Sequence, residues 1–153
     1  MKKILFICLG NICRSPMAEY IFRQKAQELG LNVQSDSAGT SGWHDGEAMH
    51  CGTADILDGM GIASNDFVSS KVPSDALQTY DYLIVMDSNN LRDVEKLFGK
   101  HPKQIFKITD LLPQPAAYDH VPDPWYTGNF KETKDILTQC CDILVERLAT
   151  GEM

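Results

Sequence analysis

Three features of the sequence predict an α/β fold in three layers, an open four-stranded parallel sheet flanked by helices on both faces. Two short runs, Ile4-Leu5-Phe6-Ile7 and Tyr82-Leu83-Ile84-Val85-Met86, are apolar without alternation. Strands of that kind are buried on both sides, as in parallel sheets covered by helices. Segments with helical apolar spacing lie between them, so strand and helix alternate along one chain, the pattern of right-handed βαβ units. The first apolar run also passes directly into Cys8-Leu9-Gly10-Asn11-Ile12-Cys13-Arg14-Ser15 and from there into a helix-like segment. Ligands of such sheets bind beyond the carboxyl ends of the strands, and this loop falls at that edge.

Taken in order, Ile4 to Ile7 is the first strand, and Met17, Ile21, Phe22 and Leu29 mark the apolar stripe of the helix behind it. Gly30 stops that helix, since glycine accepts the left-handed backbone of a helix end. Asn32 to Ser37 is a weaker strand. Ala54, Leu57 and Met60, with Ile56 beside them, outline a short helix closed by Gly59 and Gly61. Tyr82 to Met86 is a further strand, and Asp87 or Ser88 caps a helix over Asn89 to Phe98. Gln104 to Ile108 supplies the last, weak strand. Phe130 to Leu148 is the longest helix, with Leu137, Cys141, Leu144 and Leu148 on one face. The general plan is flavodoxin-like. Leu112 to Gly128 carries prolines at 113, 115, 122 and 124 and no periodicity. Loops of that length inside a compact domain are usually functional or disordered, and the aromatics of Asp123-Pro124-Trp125-Tyr126 argue against simple disorder.

With 153 residues and no internal repeat or linker, the chain reads as one domain over 1–153. Its net charge of −7 argues against nucleic acid as a partner, because phosphate backbones are bound by basic faces. No apolar run nears the ~20 residues of a membrane span. Lys2-Lys3 and the apolar run after them end at Gly10-Asn11, too soon for an export signal. Five cysteines, at 8, 13, 51, 140 and 141, are an odd number and unevenly placed. Free thiols in a reducing cytoplasm are therefore expected, rather than a disulfide framework. No pair of cysteines has zinc-site spacing matched by a second pair, and neither metal nor cofactor is expected. A monomer, or weak self-association, is the expected state.

The loop from Cys8 to Ser15 suits attack on a phosphate. Only the thiolate is nucleophilic, and a free cysteine with a pKa of ~8.5 is mostly protonated at neutral pH. A helix N-terminus, inward backbone N–H groups and an arginine all favour the anion, and the same N–H groups can cradle phosphoryl oxygens. Gly10 allows a sharp turn, and Asn11 tolerates a left-handed backbone better than most residues. Arg14 offers a planar fork for two phosphate oxygens and for charge in the transition state. Ser15 is placed to donate a hydrogen bond to the Cys8 sulfur and make it a better leaving group. Without a lysine, the loop is not an ATP-binding Gly-x4-Gly-Lys-Ser/Thr motif.

The stretch from Phe6 to Glu19 resembles the signature of low-molecular-weight protein tyrosine phosphatases, and a bacterial-type member in particular. Ser37-Ala38-Gly39-Thr40, Gly42-Trp43-His44, Tyr80-Asp81-Tyr82, Met86-Asp87 and Asp123-Pro124-Trp125-Tyr126-Thr127-Gly128 extend the similarity over nearly the whole chain. The resemblance implies metal-independent hydrolysis of phosphotyrosine, in a protein or as an aryl phosphate, through a phosphocysteine intermediate. Cys8 is then the nucleophile, Arg14 binds phosphate, and Asp123 acts first as acid and then as base. Leu9, Gly10, Asn11, Ile12, Cys13 and Ser15 complete the phosphate-binding loop, and Trp43 and Tyr126 line the substrate cleft. Cys13 is the redox partner able to trap an oxidised Cys8 as a disulfide. By the same analogy Ser37 and His50 support Asn11. Trp125 is expected to pack inward, Cys51, Cys140 and Cys141 to be structural, and His44, His101 and His120 to carry no role.

Two stretches depart from the family pattern, Ala48-Met49 where relatives carry prolines and Val68-Ser69-Ser70-Lys71 where they carry His-x-Ala-Arg or Leu-Ala-Arg. Both are expected to lie away from the chemistry. Two rival activities share such a loop. A protein arginine phosphatase typically has threonine where Ile12 stands, and an arsenate reductase needs further cysteines on a mobile segment, whereas Cys51 is alone between 13 and 140.

Overall fold

The computed structural model describes residues 1–153. Four strands, β1 (Lys2–Cys8), β2 (Val33–Gly39), β3 (Tyr82–Val85) and β4 (Ile105–Lys107), form one parallel sheet in the order β2-β1-β3-β4. The helices are α1 (Arg14–Glu28), α2 (Cys51–Gly59), α3 (Ala76–Thr79), α4 (Ser88–Phe98), α5 (Pro124–Thr127) and α6 (Phe130–Thr150). No helix is long and apolar enough to cross a membrane.

Alternation along β1 divides the core in two, because successive side chains of a strand point to opposite faces. Ile4, Phe6 and Cys8 face the larger apolar cluster, which takes in Met17, Ile21 and Phe22 of α1, Leu57 of α2, and Leu137, Cys141 and Leu144 of α6. Leu5 and Ile7 face a smaller cluster with Leu83, Val85, Ala76 of α3 and Val94 of α4. The three expected layers follow from this alternation, and Cys140 and Cys141 are fully buried in the larger one. Cys51 departs from expectation, since it opens α2 on the surface.

The main elements form where hydrophobic periodicity places them. Gly30 takes a positive φ of 66° just past α1, and Asp87 caps α4 by accepting from Asn90 N at 2.7 Å. Three short elements were not expected. These are α3, a 3-10 turn over Ile108–Leu111, and α5 inside the proline-rich segment. Elements of four residues complete no hydrophobic period, so side-chain capping rather than patterning defines α5. Asp123 caps it by accepting from Trp125 N at 3.1 Å, with Pro124 at its first position.

β1 lies between β2 and β3, so the chain leaves its carboxyl end toward one neighbour while β3 ends beside it. That divergence is the crevice in which open α/β sheets place their ligands. Cys8 is the last residue of β1, and Asp87 follows β3 closely. The segment after β4 returns over the same edge, where Val121 N donates to Met86 O at 2.9 Å.

Burial separates two leucines that sequence treats alike. Leu57 is fully buried and Leu97 is 56% exposed. Leu57→Ala should cost about 2–5 kcal/mol in urea unfolding, as cavity-forming changes do. Leu97→Ala should stay within about 0.5 kcal/mol, as surface changes do.

Candidate active site

The loop leaving β1 is held from outside by its carbonyls. Cys8 O accepts from Thr40 N at 2.9 Å, Leu9 O from Ser41 N at 3.0 Å, and Ile12 O from His50 N at 2.8 Å. Asn11 O accepts from Ser69 Oγ at 2.7 Å and Cys13 O from Thr53 Oγ1 at 3.0 Å. With these carbonyls engaged by the surrounding segments, the N–H groups of residues 9 to 13 donate to nothing within the protein. Successive amides left without an acceptor in this way form an anion-binding nest.

Asn11 sets the reversal. It is the one non-glycine residue with positive φ, at 55°, and it is almost fully buried. Ser70 N donates to Asn11 Oδ1 at 2.9 Å, which fixes the amide so that Nδ2 faces Ser15 Oγ at 2.9 Å and Ser37 Oγ at 3.0 Å. Ser37 thus supports Asn11 as expected. The His50 side chain does not, because its Nδ1 accepts from Gly52 N and caps α2. The segment 68–71, expected to lie away from the chemistry, instead reaches it through Ser69 and Ser70. Gly10 adopts no positive φ. Space beside it is tight, since a Cβ there would stand 3.1 Å from the His44 ring and press it back by a few tenths of an ångström.

At the floor, Ser15 Oγ lies 3.0 Å from Cys8 Sγ, with both groups buried. Ser15 Oγ already accepts from Asn11, and its own proton has the sulfur at 3.0 Å and the more distant Ala38 O at 3.5 Å as acceptors. Cys13 is buried on the same loop, and burial first, then the charge of Cys8, pushes its thiol up to about 12.

Arg14 is 2% exposed and gathers residues from distant parts of the chain. Its Nη1 donates to Asp87 Oδ2 at 2.7 Å and to Val121 O at 2.9 Å, while Nη2 stands 3.5 Å from Asp123 Oδ2. Burial acts to lower its pKa, but the charge of Cys8, the Asp87 hydrogen bond and both carboxylates outweigh that and raise it. Arg14 is therefore a fixed cation, and its buried Nε has no partner in the protein. Asp87, expected only as a helix cap, serves two groups, one with each oxygen. Asp123 does the same. Its Oδ1 caps α5 and its Oδ2 faces Arg14.

Cys8, Leu9, Gly10, Ile12, Cys13, Arg14 and Asp123 line one cleft with Trp43, His44, Trp125 and Tyr126. The structure thus brings together Cys8, Arg14, Asp123 and the two aromatics expected at the cleft. Trp125 corrects the sequence reading: it is 56% exposed and forms part of the cleft wall. Its ring packs T-shaped against His50 at 5.8 Å, and His50 stacks on Phe130 at 4.9 Å, so the Asp123 segment leans on the start of α2. His44, which carried no signal, is a wall residue held by Glu47 at 3.0 Å. Sequence reasoning also missed Ser41, Thr53, Ser69 and Ser70, whose types are too common to stand out.

Residues 3–152 match the family model described as low molecular weight phosphotyrosine protein phosphatase. The chain is 41% identical over 148 residues to the low molecular weight protein-tyrosine-phosphatase YfkJ of Bacillus subtilis, covering 95% of this chain and 94% of that one. It is 37% identical over 147 residues to the low molecular weight protein-tyrosine-phosphatase PtpA of Staphylococcus epidermidis, covering 95% and 93%. The crystal structure of YfkJ superposes with a TM-score of 0.95 at 38% identity, covering 100% of this chain and 98% of that one. A protein tyrosine phosphatase from Entamoeba histolytica gives 0.91 at 32% identity, with both chains fully covered. With such matches across nearly its whole length, the chain belongs to the low molecular weight protein tyrosine phosphatase family and is a phosphatase.

Proposed function

We propose that this enzyme hydrolyses phosphotyrosine in proteins in two displacement steps at Cys8. One observation carries the reading: a run of amides with no acceptor in the protein closes around a thiol and a buried guanidinium whose Nε is also unpartnered. That set of donors fits the three terminal oxygens of a phosphoryl group.

In the first step the Cys8 thiolate attacks phosphorus as the bond to the tyrosine oxygen breaks, and Asp123 gives its proton to the departing phenolate. In the second, water attacks phosphocysteine, Asp123 takes up its proton, and the sulfur leaves as thiolate toward the Ser15 hydroxyl. Arg14 and the loop amides hold the equatorial oxygens throughout, where negative charge gathers in the transition state. Asp87 keeps the guanidinium in place. Trp43, Trp125 and Tyr126 offer faces for an aryl ring, and Ile12 adds an apolar contact in the same cleft. The branched apolar Ile12, where a protein arginine phosphatase typically has threonine, favours phosphotyrosine over phosphoarginine. All five thiols are free, which suits action in the reducing cytoplasm. Cys13 is the partner that condenses with a Cys8 sulfenic acid, releasing water and forming a reversible disulfide.

Cys8→Ser should abolish release of phosphate from an aryl phosphate yet still bind inorganic phosphate in equilibrium titration. Retained turnover would end the covalent scheme. Asp123→Ala should lose about 10²–10⁴-fold in kcat with a phosphotyrosine peptide and far less with an aryl phosphate whose phenol is strongly acidic. Equal losses with both leaving groups would remove the acid role. After mild peroxide treatment, thiol titration should find wild type short of two thiols and recoverable by dithiothreitol, whereas Cys13→Ser should lose activity irreversibly.

A further inference from the structure

Behind the phosphate loop, on the side away from the cleft, a carboxylate that the mechanism does not use is buried against the sheet. Glu19 stands one helical turn beyond Ser15 on α1 and is 6% exposed. Carboxylates are rarely buried to that degree without a partner. Glu19 has two, for Oε1 accepts from Ser37 Oγ at 2.6 Å and Oε2 pairs with Arg23 at 2.6 Å.

We propose that Glu19 is a positioning residue, whose ionised carboxylate orients from behind the Ser37-Asn11-Ser15 chain that directs a hydroxyl proton at Cys8 Sγ. The inference rests on the reading of Cys8 and its loop given above. The links at Asn11 have a fixed direction. Ser70 N fixes the Asn11 amide, so Nδ2 is the donor to both serine hydroxyls. Each hydroxyl must then pass its own proton onward. With Cys8 as thiolate, the Ser15 proton goes to the sulfur at 3.0 Å, nearer than Ala38 O at 3.5 Å, and Ser37 sends its own to Glu19. An ionised carboxylate only accepts, and a charge-assisted bond is roughly twice as strong as a neutral one. A protonated carboxyl can itself donate to Ser37, which removes the single direction of the chain. Asn11 then loses a firm anchor for its left-handed turn, and the amides on either side lose their aim.

The groups facing Glu19 place this device within reach of ordinary pH. Arg23 and Tyr20 approach from α1 itself, Asp36 and Ser37 from β2, and Asp66 from the segment after α2. Burial pushes the Glu19 carboxyl up, Ser37 and Arg23 draw it down, and Asp36 and Asp66 push it up again, to about 7. Tyr20 and Tyr80 engage Asp66 and Asp36 through their hydroxyls at 2.8 Å, so those two carboxylates are held near it. Above that pH the carboxylate is ionised and the loop is held; below it the loop slackens.

The test uses the full chain and inorganic phosphate as probe. Trp43 and Trp125 are the only tryptophans and both line the cleft, so intrinsic fluorescence reads phosphate binding. Glu19→Gln keeps the shape and removes the titration, and the ratio of its Kd to that of wild type cancels the ionisation of phosphate itself. That ratio should be near one at about pH 5.5 and rise with a midpoint near 7. It should reach between about 2- and 10-fold at about pH 8.5, the range one hydrogen bond spans. Ser37→Ala should show the same loss at the higher pH, and the double variant no more than either single one, because the two act through one chain. Should Glu19→Gln not fold, the ratio of Ser37→Ala to wild type carries the same titration. A ratio flat with pH, as a merely structural role would give, or additive losses in the double variant, would overturn the proposal. Phosphate binding does not require covalent turnover, so failure here is distinct from an active Cys8→Ser enzyme.

Discussion

At Asn11 the backbone turns left-handed, a conformation that L side chains seldom adopt, and four hydrogen bonds hold it there, two donated to Ser15 and Ser37 and two accepted from Ser69 and Ser70. On this turn depends the sense of the whole loop. Its carbonyls reach outward to Thr40, Ser41, His50, Ser69 and Thr53, and the amides are left to face an anion. A more relaxed backbone would satisfy its own donors and leave nothing for a phosphate. The binding capacity of the site is in this sense stored in donors that folding leaves unpaired, and the surrounding serines and threonines maintain that arrangement.

Electrostatics complete it. The chain carries a net charge of −7, so attraction for a dianion must come from a local source. A buried guanidinium and aligned amides provide it, in surroundings where water screens little. Asp87, paired with Arg14 at 2.7 Å, and Asp123, at 3.5 Å, offset part of the positive charge, and each is tied by its other oxygen to a helix start. The same carboxylate that caps α5 is thereby aimed at the cleft.

How much of this was legible in the sequence follows from the range of each signal. β1 and β3 announce themselves through continuous apolar runs, and α1, α4 and α6 through periodicity and caps. Cys8, Arg14 and Ser15 share one short segment, so spacing alone brings them together. Asp123 depended on family resemblance, because it meets Arg14 only through the return of the chain over the sheet edge. Ser69 and Ser70 were illegible for the same reason, being 58 and 59 positions from Asn11. Trp125 misled because a large ring suggests burial, whereas its place two residues after Asp123 puts it in the cleft wall.

The guanidinium of Arg14 has one further consequence. Its protein partners lie 73, 107 and 109 positions downstream, on two stretches that meet only when β3 has paired with β1 and the segment after β4 has returned. A chain emerging from synthesis possesses Cys8 and Arg14 long before the residues that hold the guanidinium beside them. The final arrangement around Arg14 is thus assembled late in the making of the molecule.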